Sequence, residues 1–508
     1  MINGRKFLIC FVLFCLIAGS VFSATALVSE PSERQRKTGG IIAKPDVTPE
    51  VKPADTAEFL YPLSTTPVFV EQGGWFNLSF RADECDELFV YLSTAYEPVV
   101  DEFWLSITQI DYGLGMYQVT VFVPAEVPVE LYNITVLLNH DMMFSSIHQP
   151  RAVSVVDAFT DDFTFVHITD FHVGDPRGFV ESIRQTLGQR SIRRCIDEIN
   201  LLHPDFVIIS GDLVFGQLYF KEYSREYPLC YELLQKFDVP TFVCPGNHDG
   251  YKRPFEDGFD FWKKYFGPLY YSFDFGDFHF LSINSYDWPA INRWSLSVIP
   301  LNWGGSIQQP QLQWIEQDLA SHQSALTFMF MHHNPLWDTT QDSLLGRGYQ
   351  NRENLVSLID QYDVDMVLAG HVHFDNVTQV NDTIYLTTTT PESQIEQDDG
   401  YWGYRLITIA DGAIESYNYK EPKYSIPSYH LEAIYHGSSM ATVKNDLELD
   451  VVVLLCFVLP LEEYTVNVGD IIFERANEQM VELYVQVPVE QQSSRFVRVS
   501  HGLAPLNK

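Results

Sequence analysis

The chain reads as a multidomain protein: an α/β core between an N-terminal β-sandwich of the immunoglobulin or fibronectin type and a small C-terminal β domain. Three observations predict this. First, 508 residues exceed what one hydrophobic core usually serves. Second, residues 158–419 alternate apolar runs of about five residues with helical segments, the grammar of an α/β domain. Third, short alternating or aromatic runs without helical period fill 56–157 and 420–508.

The elements follow in order. Arg5 and Lys6 precede an apolar stretch from Phe7 to Phe22 and the small-residue pattern Ala24, Thr25, Ala26, so residues 1–26 read as a secretory signal, with an uncleaved anchor as the alternative. This predicts a secreted protein or one on the extracellular face of the membrane. Residues 27–55, rich in Pro, Lys and Glu, read as a flexible linker. Seven short runs then follow: "PVFVEQ", "WFNLSF", "LFVYLS", "FWLSITQI", "MYQVTVFV", "YNITVLL" and "AVSVV". They predict the antiparallel sandwich. In the α/β region Ile192, Cys195, Ile196, Ile199 and Leu202 share one helical face, and further helices are expected at "PQLQWIEQDLASH" and "ENLVSLIDQY". The run "VVVLLCFVLP" at 451–460 is too short to cross a bilayer and suits a buried strand in the last domain.

Composition narrows the function. With 67 acidic and 32 basic residues the formal charge is −35, which argues against nucleic acid as a partner, because no basic stripe exists to neutralise phosphates. An anionic substrate would need bound cations to reverse that field locally. Beyond the signal, Cys85, Cys195, Cys230, Cys244 and Cys456 are too widely spaced for a disulfide scaffold or a CxxC zinc site. Cys195 with Cys230 is the pair expected if one disulfide forms.

Five apolar runs in the α/β region are each followed at once by metal-ligand chemistry. "FTFVHIT" leads into Asp170 and His172, "FVIIS" into Gly211 and Asp212, and "TFVC" into Gly246, Asn247, His248 and Asp249. "LTFMFM" leads into His332 and His333, and "DMVLA" into Gly370, His371 and His373. Runs of this kind suit strands buried on both faces, at whose C-terminal ends sites of open α/β sheets assemble, so all five sets should converge on one edge. Carboxylate, imidazole and amide oxygen together suit divalent Mn, Fe, Zn or Co better than Ca. Seven ligands are too many for one tetrahedral ion and suit two ions sharing a bridge.

In order, "DFH", "GD", "GNHD", "HH" and "GHVH" resemble the signature of the calcineurin-like metallophosphoesterases, across roughly residues 161–415. "YYSFDFGDFHFLSINS" at 270–285 and "QLQWIEQDLA" at 311–320 are also similar to family segments. The resemblance implies a four-layer core, a β-sandwich flanked by helices, carrying two divalent ions. By position, Asp170, His172 and His373 would hold the first ion, Asn247, His332 and His371 the second, and Asp212 would bridge them. It implies hydrolysis of phosphate mono- or diesters by attack of a metal-bridging hydroxide, with His248 orienting the phosphate and protonating the leaving oxygen. His333 would either support a ligand or touch substrate. Phe215 is a departure: purple acid phosphatases of this family carry a tyrosine ligand there, and many other members an Asp that orients the catalytic His. Phe215 disfavours the purple subclass and leaves Asp249 or Asp175 to orient His248. The segment 285–309, with Trp288, Trp294 and Trp303, either walls the substrate pocket or packs on a neighbouring β domain. The alternative function is a cell-surface binding protein whose metal site is structural and inactive.

Overall fold

Each apolar run of the core divides its side chains between two faces, and that division builds the layers. The computed structural model describes residues 52–53, 57–95, 100–176, 186–218, 221–296, 299–336, 348–391, 402–420 and 424–502. One sheet runs in the order Thr241–Cys244, Phe206–Ser210, Phe163–Ile168, Gly403–Ala410, Ala413–Ser416, its first three strands parallel. A second runs Tyr271–Phe275, Phe278–Ile283, Leu326–Met331, Met366–Ala369, Thr383–Thr387, Asn376–Val380, with its four middle strands parallel. Phe163, Phe165, Phe206, Ile208 and Phe242 of the first sheet meet Phe278, Phe280, Phe328, Phe330 and Leu368 of the second in one buried cluster. The sheets therefore lie face to face.

The alternate residues face outward to helices. Val166, Ile168, Val207, Ile209 and Val243 pack with Ile192, Cys195, Ile196 and Ile199 of the helix Leu187–Leu202, and with Tyr227, Cys230 and Leu233 of Tyr223–Leu234. Leu281, Ile283, Met329, Met331 and Val367 pack with Leu312 and Ile315 of Gln309–Ser321 and with Leu355 and Ile359 of Arg352–Gln361. This is a helix, sheet, sheet, helix stack. Each fully buried aliphatic or Phe side chain in it contributes about 1.5–3 kcal/mol of transfer free energy.

The N-terminal runs all form strands, from Val68–Glu71 to Met143–Val156, with Glu58–Tyr61 added. Glu102–Gly113 belongs to two halves: residues 102–105 pair with Glu87–Thr94 and residues 106–113 with Met116–Phe122. Side chains of both halves, such as Val90, Leu92, Val119, Val121 and Ile134, share one core. The expected purely antiparallel pairing needs correction, because Val68–Glu71 and Lys52–Pro53 both run parallel to Met143–Val156. Lys52–Pro53 is thus a paired strand inside the expected linker, while the signal lies outside the described residues.

This region is fastened to the core. Phe69 reaches into the intersheet cluster, 4.9 Å from the Phe275 ring centroid, and the Arg151 guanidinium donates to the Leu234 and Val239 carbonyls at 3.0 and 2.6 Å. The last region forms two further sheets, and "VVVLLCFVLP" is a ten-residue strand with one face buried. Its Val453, Leu455 and Phe457 belong to the same cluster as the helix Leu187–Leu202. Arg475 pairs with Glu482 beside it and with Glu130 of the N-terminal region. Cys195 and Cys230 are both free thiols buried in separate helices, which corrects the expected disulfide. No helix among the described residues is long and apolar enough to cross a membrane.

Candidate metal centre

All five motifs sit where the sequence puts them, at C-terminal strand ends, but not on one sheet. Phe163–Ile168, Phe206–Ser210 and Thr241–Cys244 end with Asp170/His172, Asp212 and Asn247/His248; Leu326–Met331 and Met366–Ala369, of the other sheet, end with His332 and His371/His373. The expected single edge is the shared rim of two sheets. Asp170, His172, Asp212, His371 and His373 hold φ values of 57°, 45°, 53°, 73° and 59°. That left-handed region costs a non-glycine residue about 1 kcal/mol or more. Bonds across the rim hold it: the Asp170 amide donates to Gly211 O at 3.0 Å, the His172 amide to Asp212 O at 2.9 Å, and the Gly370 amide to His332 O at 3.0 Å.

The side chains converge. Asp170, His172 and His373 offer ligand atoms within 4.8 Å of one another, and so do Asp212, His332 and His371, and His172, Asp212 and His248. Asp212 belongs to two of these groups, its Oδ2 lying 3.2 Å from His172 Nε2 and 3.0 Å from His332 Nε2. His373 Nε2 is 3.1 Å from Asp170 Oδ1. Glycines make room: a Cβ on Gly246 would lie 2.1 Å from Asp212 Oδ1, and one on Gly370 2.0 Å from Thr169 Oγ1.

Supporting hydrogen bonds select the atoms that face inward. His332 Nδ1 lies 2.8 Å from Ser210 O, so it donates there and turns Nε2 toward the cluster, where a bound cation would take the place of that atom's proton. Asp170 Oδ2 accepts from Thr169 Oγ1 at 2.8 Å and the His371 amide at 3.0 Å, while the buried Oδ1 accepts no aligned hydrogen bond and has only His373 Nε2 at 3.1 Å beside it. Asn247 Nδ2 donates to Tyr251 Oη at 2.7 Å, which turns the amide so that its Oδ1 is the buried atom without a donor. Such orphaned acceptors are costly unless a cation completes them. The donor set and these two oxygens fit divalent metal ions. Tyr251, four residues after Asn247, was not singled out in the sequence, although that spacing around one helical turn was a usable signal.

His248 is oriented in an unexpected way. Its Nδ1 donates to the main-chain carbonyl of Phe215 at 2.5 Å, and its Nε2 is 3.9 Å from Asp212 Oδ2. The position lacking a carboxylate supplies a backbone oxygen instead. Asp249, one of the expected substitutes, accepts from the Val214 and Gly246 amides at 3.1 and 2.8 Å and braces the loop. His333 is a support: Nδ1 meets Ser285 Oγ and Nε2 meets Trp303 O, both at 2.9 Å. It ties the Trp-containing segment to the strand end. Trp288 is buried in the core's own cluster, with its indole N–H donating to Gly304 O.

The electrostatics ask for positive charge. Burial pushes the His332 imidazole down, but the Asp212 and Asp170 carboxylates outweigh it and lift it to about 9. Burial likewise raises Asp212, yet His332 and His248 hold it well below the usual carboxylate range. Asp249 is pushed up to about 7 by burial and by Asp212. Burial takes His248 down to about 4 and His333 to about 3, so both rings are neutral near pH 7.

Two carboxylates, four imidazoles and an amide oxygen on the rim of a four-layer α/β sandwich define a metal-dependent hydrolase of phosphoric esters. The family profile described as calcineurin-like phosphoesterase matches residues 163–375. A probable glycerophosphodiester phosphodiesterase of Arcobacter nitrofigilis is 30% identical over 216 residues, 41% of this chain and 72% of that protein. The chain belongs to the calcineurin-like phosphoesterase family. A 3',5'-cyclic-nucleotide phosphodiesterase of Nostoc is 25% identical, over 52% of this chain and 94% of its own length. Purple acid phosphatase 23 of Arabidopsis thaliana is 27% identical, over 35% of this chain and 43% of its own length. Among solved structures, a putative 5'-nucleotidase of Staphylococcus aureus is similar at 15% identity and TM-score 0.32, covering 53% of this chain and 54% of that one.

Proposed function

We propose that the chain is a phosphodiesterase that works with two divalent ions, Mn, Fe, Zn or Co. The observation that carries this is the convergence of six Asp and His side chains on one rim, with Asp212 facing both groups and Asn247 following the end of a strand on that same rim. Asp170, His172 and His373 would hold one ion, Asn247, His332 and His371 the other, and Asp212 would bridge. When bound, such ions polarise the phosphoryl group, lower the pKa of water between them and neutralise transition-state charge. Two divalent ions against two carboxylates leave the site net positive, which lets a chain of formal charge −35 attract an anionic ester.

The protein's own groups do the rest. Asn247 and His332 are pre-oriented by Tyr251 and Ser210 O, so little reorganisation accompanies reaction. His248, with Nδ1 committed to Phe215 O, presents Nε2 to the phosphate and donates a proton from that atom to the leaving oxygen. Because burial keeps the free ring neutral, that proton is taken up together with the anionic substrate. A diester is favoured over a monoester by the names of the relatives from Arcobacter and Nostoc.

Residues 1–26 would export the enzyme or display it on the cell's outer face, with an immunoglobulin or fibronectin-like sandwich at 56–157, the catalytic domain at 158–419 and a small β domain at 420–508. The test is a panel of phosphate mono- and diesters assayed after exhaustive chelation and again after adding Mn. Turnover of diesters that vanishes on chelation and returns with metal is expected. Hydrolysis that survives metal removal would sink the mechanism; a monoester preference would sink the substrate assignment alone.

A further inference from the structure

A second cluster of imidazoles and carboxylates lies on the same sheet as His332, far from the rim. His279 is the second residue of the strand Phe278–Ile283, and Asp274 stands directly opposite it on the antiparallel strand Tyr271–Phe275. Like Leu281 and Ile283, His279 faces the helix Gln309–Ser321, which ends here with Asp318 and its capping residue His322. His279 Nδ1 is 2.6 Å from Asp274 Oδ1, and its Nε2 is 2.8 Å from Asp318 Oδ2. The His322 ring stacks on the His279 ring at 3.9 Å between centroids, 18° from parallel, so the exposed His322 ring must turn out of the stack before its in-plane lone pair can meet an ion on His279.

We infer that Asp274, His279 and His322 form a separate site for one zinc-class divalent cation, with Asp318 orienting His279. Each of the three offers a ligand atom, all within 4.8 Å of one another. The Asp318 carboxylate on Nε2 and an ion on Nδ1 make the carboxylate–imidazole–metal arrangement that fixes a ligand's tautomer. Asp318 is itself held, its Oδ1 accepting from Ser272 Oγ at 2.9 Å. His322 Nδ1 donates to the Asp318 carbonyl at 2.7 Å, which leaves Nε2 as its lone pair. Two imidazoles with a carboxylate suit zinc better than the all-oxygen ligation calcium takes.

Access fits as well. The side chains of Asp274 and His322 are 54% and 35% exposed while that of His279 is 2% exposed, so an ion arriving from solvent meets the first two and reaches the buried ring. Binding replaces the proton between His279 Nδ1 and Asp274, which leaves to solvent. Three protein ligands leave a fourth position for water, and the ion would clamp two strands to a helix end. Ser285, which contacts the rim through His333, is six residues further along the strand, roughly 20 Å away at the usual rise.

The experiment compares the full chain with His322→Ala and Asp274→Asn, both at accessible positions where the fold should survive. Each protein is stripped with chelator, incubated with zinc, passed through a desalting column and analysed for metal. The expected result is one ion fewer per chain in each variant than in the wild type, with phosphoesterase turnover within about twofold and a smaller zinc-dependent rise in Tm. The difference is the readout, so it holds whatever the rim itself retains. Equal metal content in wild type and variants would mean a clamp of hydrogen bonds alone and would overturn the inference.

Discussion

Gly246→Ala tests how tightly the rim is built. The backbone there has φ −103° and ψ −171°, which any L residue adopts, so the substitution adds no dihedral strain. The conflict is steric: the new Cβ would stand 2.1 Å from Asp212 Oδ1 and 2.5 Å from the Asp212 amide nitrogen. Ordinary carbon–oxygen contact is about 3.4 Å, so something must move by roughly 1 Å. Asp212 has little freedom, because its Oδ1 accepts from the His248 amide at 2.8 Å and its Oδ2 faces His172 and His332. A displacement of that size at a reacting centre costs on the order of a hundredfold in rate, about 3 kcal/mol of barrier. The assay is kcat on a diester at saturating Mn, together with metal content and Tm. Gly113→Ala, where a Cβ meets nothing within 4 Å, is the control and should behave as wild type. Wild-type kcat and metal content in Gly246→Ala would refute the reasoning, as would an equal loss in the control.

Three further outcomes are expected. His248→Ala should slow alkyl esters by roughly a hundredfold or more, with a smaller loss on nitrophenyl esters, whose leaving groups need no proton; equal losses would make His248 a phosphate-binding residue only. Tyr251→Phe frees the Asn247 amide and should raise the Mn concentration needed for half-maximal activity by about 10–100-fold while leaving kcat at saturating Mn close to wild type; an unchanged metal dependence would show that the hydroxyl does not set the amide. Glu198, 1% exposed, is lifted to about 7 by burial despite Arg194 at 3.3 Å. Its folded state holds the proton more tightly, so its contribution is present below the unfolded value near 4.3 and is lost as pH rises towards 7, at most about 3–4 kcal/mol. The Tm of Glu198→Gln should therefore gain on wild type between pH 4 and 8; parallel Tm curves would count against a raised Glu198.

The features legible without coordinates were those carried by short stretches. An apolar run followed by Asp, His or Asn marks a strand end and a candidate ligand together, which is why all seven candidate ligands and His248 follow strand ends on the rim. The helix Leu187–Leu202 was readable because its apolar face repeats cleanly. Tyr223–Leu234 and Gly258–Tyr265 were not, since Pro228 interrupts the first and aromatic residues blur the faces of both. Those two helices are held by packing around Tyr227 and Trp262 rather than by their own pattern.

By itself, then, the sequence determined the chemistry of the candidate ligands, the order of the motifs and their place at strand ends, because each depends on residues adjacent in the chain. Tertiary structure decided which strands share a sheet, and so that the rim belongs to two sheets rather than one edge. It also decided how His248 is held. A side chain read at position 215 could only be found wanting, whereas the main-chain carbonyl of Phe215 reaches His248 Nδ1 from 33 residues away. Every residue carries the same carbonyl, so its identity encodes nothing about that contact. Only the folded path of the backbone brings the two together.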